Sequence, residues 1–176
     1  LSALILASRL LKAGKYDYAV VWGCDCPDRF IISGFQSLKA LSSEPCRPFD
    51  MERLGLNLGE AAATILLSRE VPQRQTGNIW HISHGFIRND AFHISAPSKT
   101  SDGLYKALKE TCSGIDKEKL AFVNAHGTAT LFNDQMESIA IQRAGLADIP
   151  INALKGYFGH TLGAAGVLET ILSMKA

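Results

Sequence analysis

The chain has 176 residues, enough for one domain with a substantial core or for two small lobes. It is 47% hydrophobic and 20% charged, with a formal net charge of +1. No long basic stripe offers phosphate neutralisation, which argues against nucleic-acid binding.

No run approaches the roughly 20 apolar residues that span a bilayer. The opening stretch lacks the basic leader and small-residue cleavage site of a signal peptide. Cys24, Cys26, Cys46 and Cys112 make no disulfide framework. A reduced, cytoplasmic setting away from membranes is therefore expected.

Leu1 to Ala13 carries apolar residues at 1, 4, 5, 7, 10 and 11, the stripe of a packed helix, and Gly14 supplies its stop. Tyr16 to Asp25 predicts a short strand, with loop from Pro27. Ser33 to Ser42 predicts a short helix, and the turn-rich run from Ser42 to Glu60 predicts a loop. Ala61 to Glu70 fits helix or strand by propensity; its place after a Gly-containing loop favours a buried strand. Gly77 to Arg88 alternates as a half-exposed strand would. Thr100 to Gly114 predicts a helix with a Ser/Thr cap and a stripe at Leu104, Ala107, Leu108 and Cys112. Lys119 to Ala125 predicts a strand, Asp134 to Gly145 a helix and Ile149 to Leu154 a strand. A last helix begins near Leu162, apolar nearly all round apart from Glu169, and should be buried. This alternation from residue 77 argues for a parallel sheet with crossover helices. The chain opens on a helix without an initiating methionine and closes inside another, so a longer parent is expected.

Two histidines occupy matching places. His126 follows one strand and His160 follows the next, with one helix between. Consecutive parallel strands usually neighbour each other, so both carboxyl ends reach one sheet edge, where ligand sites of open α/β sheets collect. At a strand spacing of about 4.8 Å the two imidazoles can share one substrate. Gly127 and Gly159 beside them permit close backbone approach. Thr128 and Thr130 offer hydroxyls on one side of an extended segment. Lys155, at the mouth of a buried strand, needs a partner, and Glu137 is the expected one.

Pattern alone leaves open that both histidines are only satisfied polar groups at strand ends. No metal site is expected. His81 and His84 fall on opposite faces of a strand, and Cys24 and Cys26 lack a second pair. His93 reads as a solvated loop histidine.

The run Asn124 to Thr130 with Asp134 and Glu137, and the run from Lys155 through Gly159 and His160 to Gly166, carry a resemblance. They resemble the two histidine motifs of the β-ketoacyl synthases, condensing enzymes of the thiolase-like superfamily. Residues 9–25, 33–42 and 47–63 resemble, in the same order, the segments that follow that family's nucleophile. The resemblance implies a partial thiolase-like α/β fold, a mixed sheet with crossover helices. Residues 1–72 would end the first half, and 73–176 would make most of the second.

It also implies a decarboxylative Claisen condensation of a malonyl thioester with an acyl-enzyme. His126 and His160 would hold the enolate, Lys155 paired with Glu137 would orient the site, and Thr128, Thr130 and Gly159 would meet the substrate. The partners implied are acyl carrier protein, acyl and malonyl thioesters on phosphopantetheine, and a second subunit in a homodimer or heterodimer. No metal or organic cofactor is implied. The nucleophilic cysteine is expected about four residues before Leu1, where a helix N-terminus lowers a thiol's pKa. An isolated segment is accordingly expected to be inactive. Two alternatives are a non-catalytic partner of the chain-length-factor type and a malonyl-thioester decarboxylase. Against the family pattern, Asn124 replaces Glu, Leu56 replaces Phe, Asn133 and Ala61 replace Gly, and Ala153 replaces Ser. These departures mark a divergent member.

Overall fold

Helix α1 spans Ser2–Lys12 and buries Leu4, Ala7 and Leu11, three residues of the predicted stripe. Its last turn carries Arg9 and Lys12, favourable against the carbonyl end of a helix dipole. The coordinates are a computed structural model and describe residues 1–71, 77–92 and 98–176. Strand β1 (Tyr18–Asp25) pairs antiparallel with β2 (Ala61–Ser68), from Tyr18 opposite Ser68 to Asp25 opposite Ala61. The strand expected over 61–70 is present as Ala61–Ser68, half-buried rather than wholly buried. Ala19, Val21, Ala63, Ile65 and Leu67 face α1 and the last helix, α6 (Ala165–Ser173). The opposite face leaves Tyr18, Val20, Trp22 and Leu66 exposed. Gly23 permits a close crossing: a Cβ there would stand 2.6 Å from the carbonyl oxygen of Gly163. That contact draws the turn before α6 onto β1.

The second unit is a strand–helix–strand. β3 (Val123–Asn124) and β4 (Ile151–Asn152) are parallel, joined through α4 (Leu131–Arg143). Helix α3 (Asp102–Thr111) packs on α4 around Ile141, Ala144 and Leu146. The expected parallel pairing of these strands holds, though each ladder is only two residues long. Antiparallel and parallel pairs together make the mixed α/β architecture expected of a partial thiolase-like fold.

Several elements differ from expectation. Helix α2 spans Arg29–Ser37, beginning before Ser33, because Asp28 caps it: Ile31 N donates to its Oδ1 at 2.9 Å. Residues 77–88 form no strand. Alternation sets two faces, but a strand also needs a ladder, and here Arg9 and Lys12 side chains donate to the Gly85 and Ser83 carbonyls instead. Ser101 does not cap α3 with its side chain; Ser98 Oγ and Asp90 Oδ1 accept from Asp102 N and Gly103 N. The half-buried stripe of α3 runs through Tyr105, Leu108 and Cys112, leaving Leu104 exposed. Helix α4 starts at Leu131, three residues before Asp134. A short helix, α5 (Lys155–Phe158), was not expected. His93 lies outside the described residues. Among those residues, no helix is long and apolar enough to cross a membrane.

Candidate active site

The first histidine sits in a loop braced by two carboxylates of α4. Asp134 and Glu137 are three residues apart, so they share one helix face. Glu137 accepts from His126 N at 2.7 Å and from Gly127 N at 2.9 Å. Asp134 accepts from Ala129 N at 3.1 Å and from Phe49 N at 2.7 Å, with Arg53 Nε at 3.5 Å. These anchors hold Ala129, fully buried, at φ 58°, a left-handed conformation that a non-glycine residue takes only under constraint. Burial pushes the Glu137 carboxyl above its usual range, and the two N–H donors oppose the shift.

The second histidine follows α5. Gly159, at φ 69°, ends that helix, and a Cβ there would stand 2.9 Å from the carbonyl carbon of Leu58. His160 N donates to Asn57 O at 2.7 Å, and Gly59 N donates to His160 O at 3.0 Å. Leu162 N donates to His160 Nδ1 at 3.1 Å. An accepting Nδ1 places the ring proton on Nε2, leaving one N–H free to donate.

The two rings meet edge to face with centroids 5.2 Å apart, so the expectation that they share one edge of the parallel pair holds geometrically. Burial lowers the pKa of each ring from 6.5 to about 4, and the Lys155 ammonium adds to the shift. Asp25 opposes it at His160. His126 leaves more than a third of its surface open, so its desolvation is incomplete and the direction of its shift carries the argument. Both rings are neutral at pH 7.

Lys155 corrects one expectation. Its ammonium is buried and donates to Glu169 Oε1 at 2.6 Å and to His126 O at 2.7 Å. Glu137 is not its partner; the Glu137 oxygens accept instead from the amides of residues 126 and 127. Asn124 Nδ2 donates to the other Glu169 oxygen at 3.1 Å, and Asn152 Nδ2 to Asn124 Oδ1 at 3.2 Å. A signal for Glu169 existed: one carboxylate on an otherwise apolar helix must find a cation.

Thr128 and Thr130 hydroxyls lie 3.0 Å apart, and Asn133 Nδ2 donates to Thr130 Oγ1 at 2.7 Å. Thr128 is buried while Thr130 is partly open. Asn57 and Asp25, whose Oδ2 accepts from Gly163 N at 2.9 Å, also brace the site and were not singled out from sequence.

These histidines give stability a pH dependence. Both rings titrate below the unfolded value of about 6.5 when folded, His160 near 4. Between those values the unfolded chain binds more protons, so stability rises with pH. Glu137 acts oppositely, since its raised folded pKa makes stability fall as pH rises above its ordinary value. In urea unfolding at a series of pH values, His126→Gln with His160→Gln is expected to flatten the rise below pH 6.5. An unchanged slope would count against neutral, desolvated rings.

Two imidazoles, neutral at pH 7, thus face each other at the carboxyl edge of a parallel pair, with a buried ammonium behind them. Residues 1–72 match the family model for the β-ketoacyl synthase N-terminal domain, and residues 81–176 that for the C-terminal domain. The chain belongs to the β-ketoacyl synthase family. It is 34% identical to 3-oxoacyl-[acyl-carrier-protein] synthase 2 of Rhizobium meliloti, a match covering 97% of this chain and 44% of that protein. A ketosynthase solved in complex with its chain length factor, from Xenorhabdus doucetiae, gives a TM-score of 0.84 at 37% identity. That match covers 98% of this chain and 42% of the other. A type II polyketide synthase acyl-carrier protein complex with its ketosynthase gives 0.86 at 28% identity, covering 98% and 46%. The chain spans less than half the length of each of these relatives.

Proposed function

We propose that this chain is the histidine-bearing segment of a β-ketoacyl synthase and that the full-length protein forms carbon–carbon bonds. Residues 1–72 end the first thiolase-like half and 73–176 make most of the second. The observation that carries the reading is the ring pair: neutral, 5.2 Å apart, with His160 Nε2–H free to donate. A malonyl thioester loses its carboxylate as carbon dioxide, and the bonding pair passes into an enolate. His126 and His160 donate N–H to the enolate oxygen. The enolate carbon then attacks an acyl thioester on the enzyme, a new C–C bond forms, and the cysteine thiolate leaves. Thr128, Thr130 and Gly159 rest the pantetheine arm, and no metal or organic cofactor takes part.

The acyl-bearing cysteine belongs N-terminal to Leu1. None of the four cysteines here stands at a helix N-terminus, and burial raises the Cys46 thiol. The start of α1 is well placed for such a residue, because Leu1 lies against Gly166, six residues beyond His160. Acyl carrier protein delivers the thioesters, and a second subunit, identical or chain-length-factor-like, completes the assembly. Four free thiols suit a reducing, cytoplasmic setting.

The test uses the full-length protein with a malonyl thioester on acyl carrier protein and an acyl primer. Carbon dioxide together with a β-ketoacyl product is expected. Carbon dioxide without that product would instead make it a decarboxylase, and neither would make it a non-catalytic partner.

A further inference from the structure

Asn57 lies in the loop between α2 and β2, outside both histidine motifs. Its side-chain amide makes three hydrogen bonds, all to the backbone of residues 42–46. Oδ1 accepts from Cys46 N at 2.7 Å, and Nδ2 donates to Ser42 O at 3.2 Å and Glu44 O at 3.1 Å. One acceptor and two donors in that arrangement match an amide and no carboxylate. The Asn57 carbonyl accepts from His160 N at 2.7 Å. Leu58 pairs with His160 in a parallel bridge, and Gly59 N closes the other side of the same residue. Both backbone groups of His160 are therefore held by residues 57–59.

The far end of this brace reaches the other histidine. The buried Cys46 thiol lies 3.8 Å from Thr128 O, two residues beyond His126. A Cβ on Gly127 would stand 3.2 Å from Pro48 Cβ and 3.3 Å from the Phe49 ring, so the stretch 46–49 lies against the His126 loop. One amide thus joins the segment resting on the His126 loop to the segment that holds His160.

We propose that Asn57 is a positioning residue that fixes the His160 imidazole relative to His126. It touches no substrate and acts through the His160 backbone, which aims Nδ1 at Leu162 N. Its catalytic consequence rests on the condensation reading above; its effect on the ring does not. The charged and titratable groups around His160 are Lys155, Asp25 and His126, and none of them bonds to Asn57.

The test uses full-length protein carrying 15N-labelled histidine, with Asn57→Ser and Asn57→Asp variants. Asn57→Asp keeps the acceptor for Cys46 N but turns both donors into an oxygen facing two carbonyls. Asn57→Ser is milder and carries the test should the aspartate variant not fold. Wild type is expected to show His160 as the Nε2–H tautomer, and the variants a mixture. Carbon dioxide release from a malonyl thioester should lose about tenfold in kcat, with KM within about twofold, as a small displacement of an aligned group predicts. A purely structural role would lower the melting temperature and leave the tautomer alone. Folded variants that keep a single Nε2–H signal for His160 overturn the proposal. A tautomer mixture with unaltered carbon dioxide release upholds the positioning role and counts instead against the condensation reading.

Discussion

His160→Ala in the full-length protein is expected to slow carbon dioxide release from a malonyl thioester by about 10²–10³-fold, the usual cost of removing one oxyanion donor. The geometry explains why one ring should matter so much. Leu162 N occupies Nδ1, so the Nε2 proton is held on a ring that needs no reorganisation as the enolate forms. The ring is already neutral, because burial and the Lys155 ammonium hold its pKa near 4. Donation to a developing oxyanion therefore starts from a fixed, uncharged N–H rather than from a titrating one. His126→Ala should cost a comparable factor, since its ring lies edge to face with the first. Losses in the double variant should fall well short of the product of the single ones, because both donors serve one oxygen and act as a unit. His160→Gln, which restores an N–H donor in part, should recover some of the rate. Release within about threefold of wild type for His160→Ala, far below the cost of a lost oxyanion donor, would remove that ring from the reaction.

The site was more legible in the sequence than its supports. His126 and His160 could be placed at one edge because strand order and parallel pairing follow from alternation, and both are local signals. The partner of Lys155 was only half legible: the lone carboxylate of α6 had to find a cation, but that the cation is Lys155 depends on a tertiary contact between α5 and α6. Glu137 lies farther from Lys155 in the chain than Glu169 does, and its oxygens accept from the amides of the loop that leads into α4. Asp134 was quoted as part of a motif, but its grip on Phe49 N spans 85 residues and leaves no local trace.

The fold divides in the same way. The stripe of α1 was readable from periodicity, whereas β2 was ambiguous by propensity and legible only from the loop before it. Residues 77–88 were misread because alternation cannot tell a strand from an extended segment whose carbonyls go to Arg9 and Lys12. The start of α2 lies earlier than Ser33 for a different reason: Asp28, just after Pro27, caps the helix through its side chain, so the loop is shorter than Pro27 suggests.

Glu169→Ala is expected to destabilise the protein by about 3–5 kcal/mol in denaturant unfolding, the usual cost of stranding one charge of a buried pair. The Lys155 side chain is 1% exposed and that of Glu169 14%, so water cannot replace the lost carboxylate at the ammonium. Lys155 would keep only His126 O, and Asn124 Nδ2 would lose its acceptor. Glu169→Gln, which keeps an acceptor but not the charge, should fall between the variant and wild type. Replacing both partners, Lys155→Met with Glu169→Leu, should return most of the stability, because two well-packed apolar groups spare the desolvation of two ions.

That double variant also separates holding the fold from tuning the site. Without the Lys155 ammonium, one cause of the low imidazole pKa values is gone, and both rings should titrate higher. The acid limb of carbon dioxide release should then move up in pH even where the protein is as stable as wild type. A double variant that is stable and retains the wild-type acid limb would confine Lys155 and Glu169 to a packing role. A limb displaced upward would show that the buried pair keeps two histidines uncharged where an enolate must be held.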